Sequence, residues 1–592
     1  MENGRHHIVV AVCVSVLAAS SGSARADDVR PQARADASVK APLLLERPDD
    51  PYMPGPEGGG IAGVSGTAAF GISVSVQVNV DDLGNNVFGD AANEPSIAVD
   101  PTAPNRMAIG WRQFDTIASN FRQAGYSYSL DGGRTWAGMD VIEPGLFRSD
   151  PVLGAGTDGT FYYMSLRVQG GDYWCDMFIS DDAGATWPVK AYAYGGDKSW
   201  FAIDKTGGVG HGNIYQAWNI AGNPFYPNQF NRATDGGLTW EDPVEYDPEG
   251  HVARPCFGLL DVGPDGAVYV AGAQNSSNTD VFWVVRSKDA QNPLVTPTFD
   301  QITPIDMGGN LRIGTGPNPA GLLGQVNIAV DHSGGPTHGN VYVLCSVDPP
   351  GTDPMDVNLI RSTDDGETFS SPVRVNDDPA GPGNWQWFGE MSVAPNGRID
   401  VIWNDTRGSG TENICQLYYS FSTDGGETWS VNVPLSGSFD SHVGWPNQNK
   451  LGDYYDIISD KVGAYLAWAA TFNFEQDVYF LRIGDYDCND NGVPDSQDIA
   501  DETSDDCNLN GIPDECEIAA GTATDANGNG VPDECEECPW DCGGDFDGAI
   551  GMVDLLVLLG QWGEVGVLCD FDGNGVDIED FLELLGRWGP CP

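Results

Sequence analysis

The segment Ser129-Leu-Asp131-Gly-Gly133-Arg-Thr135-Trp136 decides the reading of this chain, because it returns four more times. The copies are Ser180-Asp-Asp182-Ala-Gly184-Ala-Thr186-Trp187, Ala233-Thr-Asp235-Gly-Gly237-Leu-Thr239-Trp240, Ser362-Thr-Asp364-Asp-Gly366-Glu-Thr368-Phe369 and Ser422-Thr-Asp424-Gly-Gly426-Glu-Thr428-Trp429. A decayed copy is visible at Ser287-Lys-Asp289. Each unit describes a tight turn that closes a hairpin. Asp and Gly tolerate turn backbone, the Asp carboxylate accepts N–H groups across the turn, and Ser and Thr add local bonds. The closing Trp or Phe anchors the turn against a sheet.

A second repeated element accompanies the first. "EPSIAVD" (94–100), "DPVLGAG" (150–156), "KSWFAID" (198–204), "RPCFGLL" (254–260), "QVNIAVD" (325–331), "GEMSVAP" (389–395) and "GDYYDII" (452–458) are seven apolar strand openings. Most lead through a Gly-containing turn into a second strand such as "VYVLC" or "IDVIW". Seven openings predict an all-β ring of seven blades of about four strands each, with six blades as the alternative. The last blade shows three strands, ending at "VYFLRI" (478–483), and the alternating stretch Ile72–Val80 is suited to supply the fourth. Closure from both chain ends hides sheet edges that would otherwise template aggregation.

The S-x-D-x-G-x-T-W pattern resembles the Asp-box of sialidases and other β-propellers, which implies a sialidase-like propeller over 67–484. In that family the boxes are structural and lie away from the active site. Sialidases clamp a carboxylate with three arginines and carry an Arg-Ile-Pro motif before the first box. No Arg-Ile-Pro occurs here, and Arg112, Arg148, Arg254 and Arg407 sit in no matching motif. True sialidase activity is therefore not expected.

From Asp485 the composition changes to 28 acidic residues and one basic residue, Arg587, over 108 positions. Three units repeat every 19 residues. They place Asp487, Asn489, Asn491, Asp495 and Asp498, then Asp506, Asn508, Asn510, Asp514 and Glu517, then Asp525, Asn527, Asn529, Asp533 and Glu536. Oxygen ligands at loop positions 1, 3, 5, 9 and 12 with Gly at 6 suit Ca2+. The segment 485–537 resembles thrombospondin type 3 calcium repeats. Residues 538–592 hold a further duplication, "DFDGAIGMVDLLVLLGQWG" from Asp545 and "DFDGNGVDIEDFLELLGRWG" from Asp570. It resembles a dockerin, which implies a small α-helical pair, calcium at Asp570, Asp572 and Asn574, and a cohesin-like or cell-surface protein partner. Leu555, Leu558, Leu559, Trp562, Phe581, Leu582, Leu585 and Trp588 are expected to form the core between its helices.

The whole chain of 592 residues carries 86 acidic against 28 basic residues, a formal charge of −58. Such a surface excludes nucleic acid and anionic membranes as main partners. Arg5, the apolar run Ile8–Ala19 and Ala24-Arg25-Ala26 read as a signal peptide over 1–26, so the mature protein is expected outside the cell with no membrane span. Residues 27–66, rich in Pro, Gly and charge, read as a flexible linker. Eight of the cysteines lie between Cys488 and Cys591, and export predicts disulfides there. The spacing of Cys535, Cys538 and Cys542 offers zinc as an alternative. Cys175, Cys256, Cys345 and Cys415 read either as buried thiols or as a pair.

Propeller ligands usually sit at the channel mouth, where innermost strands begin. Those positions offer Glu94, Asp150, Glu390, Asp453 and Tyr454 for acid, base or nucleophile roles, with Lys198, Arg254, Trp200 and Trp387 for binding a glycan or polysaccharide. Two functions follow. One is a secreted glycoside hydrolase acting on extracellular polysaccharide or glycoconjugate. The other is a non-catalytic glycan- or protein-binding propeller anchored by its calcium tail. Open, adjacent carboxylates would favour the first; carboxylates locked to Lys198 and Arg254 would favour the second.

Overall fold

The computed structural model describes residues 50–55, 67–70, 73–248, 250, 253–275, 278–381, 383–525, 530–532, 535, 549–565, 567, 569, 571 and 575–590. Two compact units are distinguished, Met1–Ser38 and Val39–Pro592, and every described residue belongs to the second. The signal peptide, most of the linker, and Asn527, Asn529, Asp533, Glu536, Asp570, Asp572 and Asn574 lie outside the described residues.

Seven antiparallel sheets follow one another at 91–142, 149–192, 200–244, 260–305, 327–374, 386–440 and 456–483. We number them blades 1 to 7. Their innermost strands contact one another in a closed ring, blade 7 against blade 1, which makes seven blades and not six. Strands such as Met107–Phe114 and Val341–Val347 are buried at every position. Each such sheet has neighbours on both faces, so its strands read as continuous buried runs and not as half-wet alternations. Blade 7 takes its fourth strand, Ser73–Gln77, from the N-terminal side, paired with Asp477–Ile483, and a fifth, Thr67–Phe70, lies outside it. The alternating stretch thus closes the ring as expected. A separate hairpin, Ile313–Thr315 with Asn318–Leu322, precedes blade 5.

The repeated turns share one hydrogen-bond pattern. In the box of blade 2, Asp182 Oδ1 accepts from Thr186 N at 2.8 Å and Ser180 Oγ at 2.7 Å, while Oδ2 accepts from Thr186 Oγ1 at 2.6 Å. The decayed copy in blade 4 completes the same pattern over a longer loop. Asp289 Oδ1 accepts from Thr298 N at 2.8 Å and Oδ2 from Thr298 Oγ1 at 2.6 Å, nine residues on instead of four. Blades 1 to 6 therefore each carry a box.

Beyond the ring, short helices Asp495–Ala500 and Asp514–Ala520 follow the first two acidic loops. The disulfides Cys488–Cys516 and Cys507–Cys535 each span 28 residues and are offset by one repeat. Each joins position 2 of one repeat to position 11 of the next. Gln497 and Ala526 stand where a longer ladder would need further cysteines. With Cys535 paired to Cys507, the zinc alternative falls; Cys538 and Cys542 lie outside the described residues. The four propeller cysteines are buried free thiols, so they are not a pair.

The first two repeats sit on the propeller. Lys461 Nζ lies 3.0 Å from Asp490 Oδ1, the Arg134 guanidinium stacks 3.9 Å over Tyr486, and Arg106 Nε donates to Ala520 O at 3.1 Å. Further on, helices Met552–Gly560 and Ile578–Gly586 pack around Ile550, Leu558, Cys569, Val576 and Leu584. Here the expectation is corrected. Leu558 is buried and Leu555 and Phe581 partly so, but Leu559, Trp562, Leu582, Leu585 and Trp588 are exposed. Helices this short bury one narrow stripe against each other, and the remaining apolar positions face out.

Candidate functional site at the channel mouth

The innermost strands of five blades share a backbone device. Glu94, Asp150, Lys198, Phe257 and Phe388 all have φ between 46° and 56°. The ladders of blades 1, 2 and 6 skip there, between Asn93 and Ser96, Ser149 and Val152, and Trp387 and Glu390. Left-handed backbone at a non-glycine residue is strained, and a bulge re-aims the side chain it carries. Pro95 and Pro151 follow Glu94 and Asp150, where a proline's missing N–H loses no ladder bond.

Three of these residues, Glu94, Asp150 and Lys198, belong to a buried cluster of six ionisable side chains in the interior. Lys198 Nζ lies 2.7 Å from Asp453 Oδ2, 3.2 Å from Asp150 Oδ1 and 4.0 Å from Glu94 Oε1. Lys450 Nζ lies 2.7 Å from Asp453 Oδ2 and 3.4 Å from Glu94 Oε1, and Arg112 Nε lies 3.1 Å from Glu94 Oε2. Three carboxylates face three cations, all buried. Backbone amides complete the carboxylates: Lys198 N donates to Asp150 Oδ2 at 3.0 Å and Leu322 N to Asp453 Oδ1 at 2.8 Å. Burial pushes the Glu94 carboxyl above the usual range, and Arg112, Lys198 and Lys450 oppose it.

The other predicted residues are not in this cluster. Tyr454 is buried edge-on against Trp200 at 5.2 Å and donates its hydroxyl to Pro151 O at 2.9 Å. Burial and the nearby Glu94 and Asp150 charges hold its phenol well above its ordinary range, so no phenolate nucleophile forms at neutral pH. Glu390 is buried beside Asp456, and burial holds its carboxyl well above the carboxylate range. Trp387 is 0% exposed, packed 4.4 Å from Phe388, and offers no ring face to a sugar. Arg254 stacks 4.9 Å over Tyr226 and donates to its hydroxyl, away from the carboxylates.

A partly buried aromatic shelf lies where Trp174 and Tyr192 of blade 2, and Tyr194 just after it, meet Phe225 of blade 3. Trp174 is 5.6 Å from Tyr192 and 5.2 Å from Phe225, and Tyr194 is 4.9 Å from Tyr192 and 5.2 Å from Phe225. The Arg167 guanidinium stands 5.9 Å over Tyr192, and Tyr194 donates to Asp242 Oδ1 at 2.9 Å. Trp174 and Tyr192 stand on the two outer strands of blade 2, whereas Asp150 stands on its innermost strand. Sequence reading missed the shelf. The alternation Tyr192-Ala-Tyr194 was the available signal, since period 2 puts both rings on one face.

The first two tail loops are alike. Asp487 Oδ2 accepts from Gly492 N at 2.9 Å and Asp506 Oδ2 from Gly511 N at 2.9 Å. Asp495 Oδ1 accepts from Cys488 N at 2.8 Å, and Asp514 Oδ1 from Cys507 N at 3.0 Å. Asn491 Nδ2 reaches Asp498 Oδ2 at 2.7 Å, and Asn510 Nδ2 reaches Glu517 Oε1 at 2.8 Å, closing positions 5 and 12 on each other. Asp525 Oδ2 accepts from Gly530 N at 2.8 Å in the third. Asp495 Oδ2 is buried without a hydrogen-bond partner, and the donor set is all oxygen. Both features fit a hard cation.

No protein-family model matches the chain, and no curated protein does. Among solved structures it is similar to a Dyadobacter fermentans protein of unknown function, at 14% identity over 69% of this chain and 97% of that one, with a TM-score of 0.39. It is also similar to Trypanosoma rangeli sialidase, at 10% identity over 70% of this chain and 60% of that one, with a TM-score of 0.34. A third is the α-L-arabinofuranosidase arb93a of Fusarium graminearum, at 14% identity over 48% and 92%, with a TM-score of 0.30. The blade count comes from the closed strand ring and not from these likenesses. Among the described residues no helix is long and apolar enough to cross a membrane.

Proposed function

We propose that the protein is a secreted glycan-binding propeller without hydrolytic activity, held outside the cell by a calcium-dependent tail. The observation that carries this is the Lys198 ammonium, bonded to Asp150 and Asp453 and close to Glu94. Glycoside hydrolysis asks two carboxylates to exchange protons and reach the scissile bond. Carboxylates neutralised by Lys198, Lys450 and Arg112 in a buried lattice do neither. The partly buried shelf of Trp174, Tyr192, Tyr194 and Phe225 supplies aromatic surface for sugars, and Arg167 and Arg254 favour acidic ones. In the tail, Ca2+ is held by the loops beginning at Asp487, Asp506 and Asp525. The exposed Leu559, Trp562, Leu585 and Trp588 meet a protein partner at the cell exterior.

The test pairs binding with product analysis. The mature protein in millimolar calcium is offered sialylated, neutral and acidic glycans, alongside a Trp174→Ala/Tyr194→Ala variant. Binding without fragments, weakened about tenfold or more in the variant, supports the reading. Fragments that vanish in a Glu94→Gln/Asp150→Asn variant would restore the hydrolase.

A further inference from the structure

The strand that closes the ring brings with it a buried acidic cluster lacking counter-charge. Asp90 precedes blade 1, Asp477 opens the third strand of blade 7, and Glu475 lies two residues earlier; they are 1%, 0% and 6% exposed. Glu475 is satisfied, its Oε1 accepting from Gly89 N at 2.6 Å and its Oε2 from Asn86 Nδ2 at 3.1 Å. Asp90 Oδ2 accepts from Gln113 Nε2 at 2.9 Å, and Asp477 Oδ1 from Asn79 Nδ2 at 2.8 Å. The other oxygen of each, Asp90 Oδ1 and Asp477 Oδ2, is buried without a partner.

A third orphan is not an acid. Gln77 Oε1 is buried without a partner, on a side chain 3% exposed. Its amide nitrogen bonds Asn79 O at 3.4 Å and Asn86 Oδ1 at 2.5 Å. Asn79 also bonds Asp477 and Asn86 also bonds Glu475, so the Gln77 amide shares both of its partners with the acidic cluster. The charges facing Asp90 are those of Asp477 and Glu475, and no cationic side chain of the described residues faces either aspartate.

Ionised carboxylates buried without a counter-charge are strongly destabilising, so a proton or a cation must complete the cluster. One proton shared by Asp90 and Asp477 would leave Gln77 Oε1 without a donor, and a second would leave both aspartates neutral, a state that chelator would not disturb. A hard cation takes all three oxygens, two carboxylate and one amide, and fills its remaining positions with water or carbonyls. We infer that Asp90, Asp477 and Gln77 bind a divalent cation of the calcium class, which staples the N-terminal closing strand to blades 1 and 7. This site is distinct from the tail loops and independent of glycan binding.

The test uses the full chain carrying Asp487→Ala, Asp506→Ala and Asp525→Ala, which removes the first carboxylate of each tail loop. Its calcium content is measured by atomic emission after desalting, and its propeller unfolding by near-ultraviolet circular dichroism with and without chelator. Adding Asp90→Asn and Asp477→Asn is expected to lower the content by one ion per chain and abolish the effect of chelation. Gln77→Met, which keeps both charges and the side-chain length, guards against a variant that fails to fold. It is expected to raise the calcium concentration for half-maximal stabilisation about tenfold. A calcium content unchanged by Asp90→Asn/Asp477→Asn would overturn the inference. So would a propeller midpoint that chelator does not move in the tail-substituted chain.

Discussion

The ammonium of Lys198, at the opening of blade 3, lies 2.7 Å from the carboxylate of Asp453, at the opening of blade 7. The same nitrogen reaches Asp150 of blade 2 at 3.2 Å, so one side chain ties three blades. Lys198→Met leaves Asp453 with Lys450 and takes from Asp150 the ammonium it bonds. Removing one member of a buried ion network typically costs about 3–5 kcal/mol, and urea unfolding of the propeller is expected to register that loss.

Asp456 sets a pH dependence. Burial raises its carboxyl to about 6, although the Ser96 hydroxyl and the Ile97 amide bond it at 2.6 and 3.0 Å. A folded value above the unfolded one, about 3.9, means that folding tightens the proton. This group's contribution is therefore fully present below pH ~4 and is lost as pH rises through about 6. The change is about 3 kcal/mol, and Asp456→Asn is expected to remove it when the two proteins' unfolding curves are compared at pH 4 and 7.

The box of blade 4 is completed by Thr298 despite its distance in sequence from Asp289. Thr298→Val is expected to destabilise by about 1 kcal/mol, the same loss expected of Thr186→Val and Thr428→Val in regular boxes. Thermal unfolding of the three variants side by side checks this. A neutral Thr298→Val would mean that the loop holds itself without the box.

Loss of the Cys488–Cys516 or Cys507–Cys535 bond is expected to destabilise the tail repeats by about 2–4 kcal/mol and leave the propeller midpoint unchanged. Proteolysis of the tail under reducing conditions, read beside the propeller's circular dichroism, separates the two. Cys175, Cys256, Cys345 and Cys415 are buried thiols and should alkylate only on unfolding.

The regular boxes were legible because their bonds join residues two to four apart, as Ser129 and Thr135 join Asp131. The closing strand was legible because alternation in Ile72–Val80 matches a strand with one face on a sheet. Asp289 looked decayed because an inserted loop moved its threonine out of register, while the carboxylate geometry stayed the same. In the tail, helical spacing marked Leu559 and Leu585 as apolar positions without saying which of them find a neighbour. Trp387 and Tyr454 stood next to channel-mouth positions in sequence, yet packing against Phe388 and Trp200 buried them.

By itself the sequence determined the repeat, the closing strand and the oxygen-rich loops, because each is written in contacts between near neighbours or in strand periodicity; the choice of seven blades over six came from the closed ring of strand contacts. Tertiary structure alone decided that Glu94, Asp150 and Asp453 are neutralised by Lys198, Lys450 and Arg112, and that Trp174 meets Phe225. Apart from Arg112 with Glu94 and Lys450 with Asp453, those pairs join different blades, and Lys450 and Glu94 stand 356 residues apart. Their distances depend on how the ring closes, a property of the whole set of sheets and of no local segment.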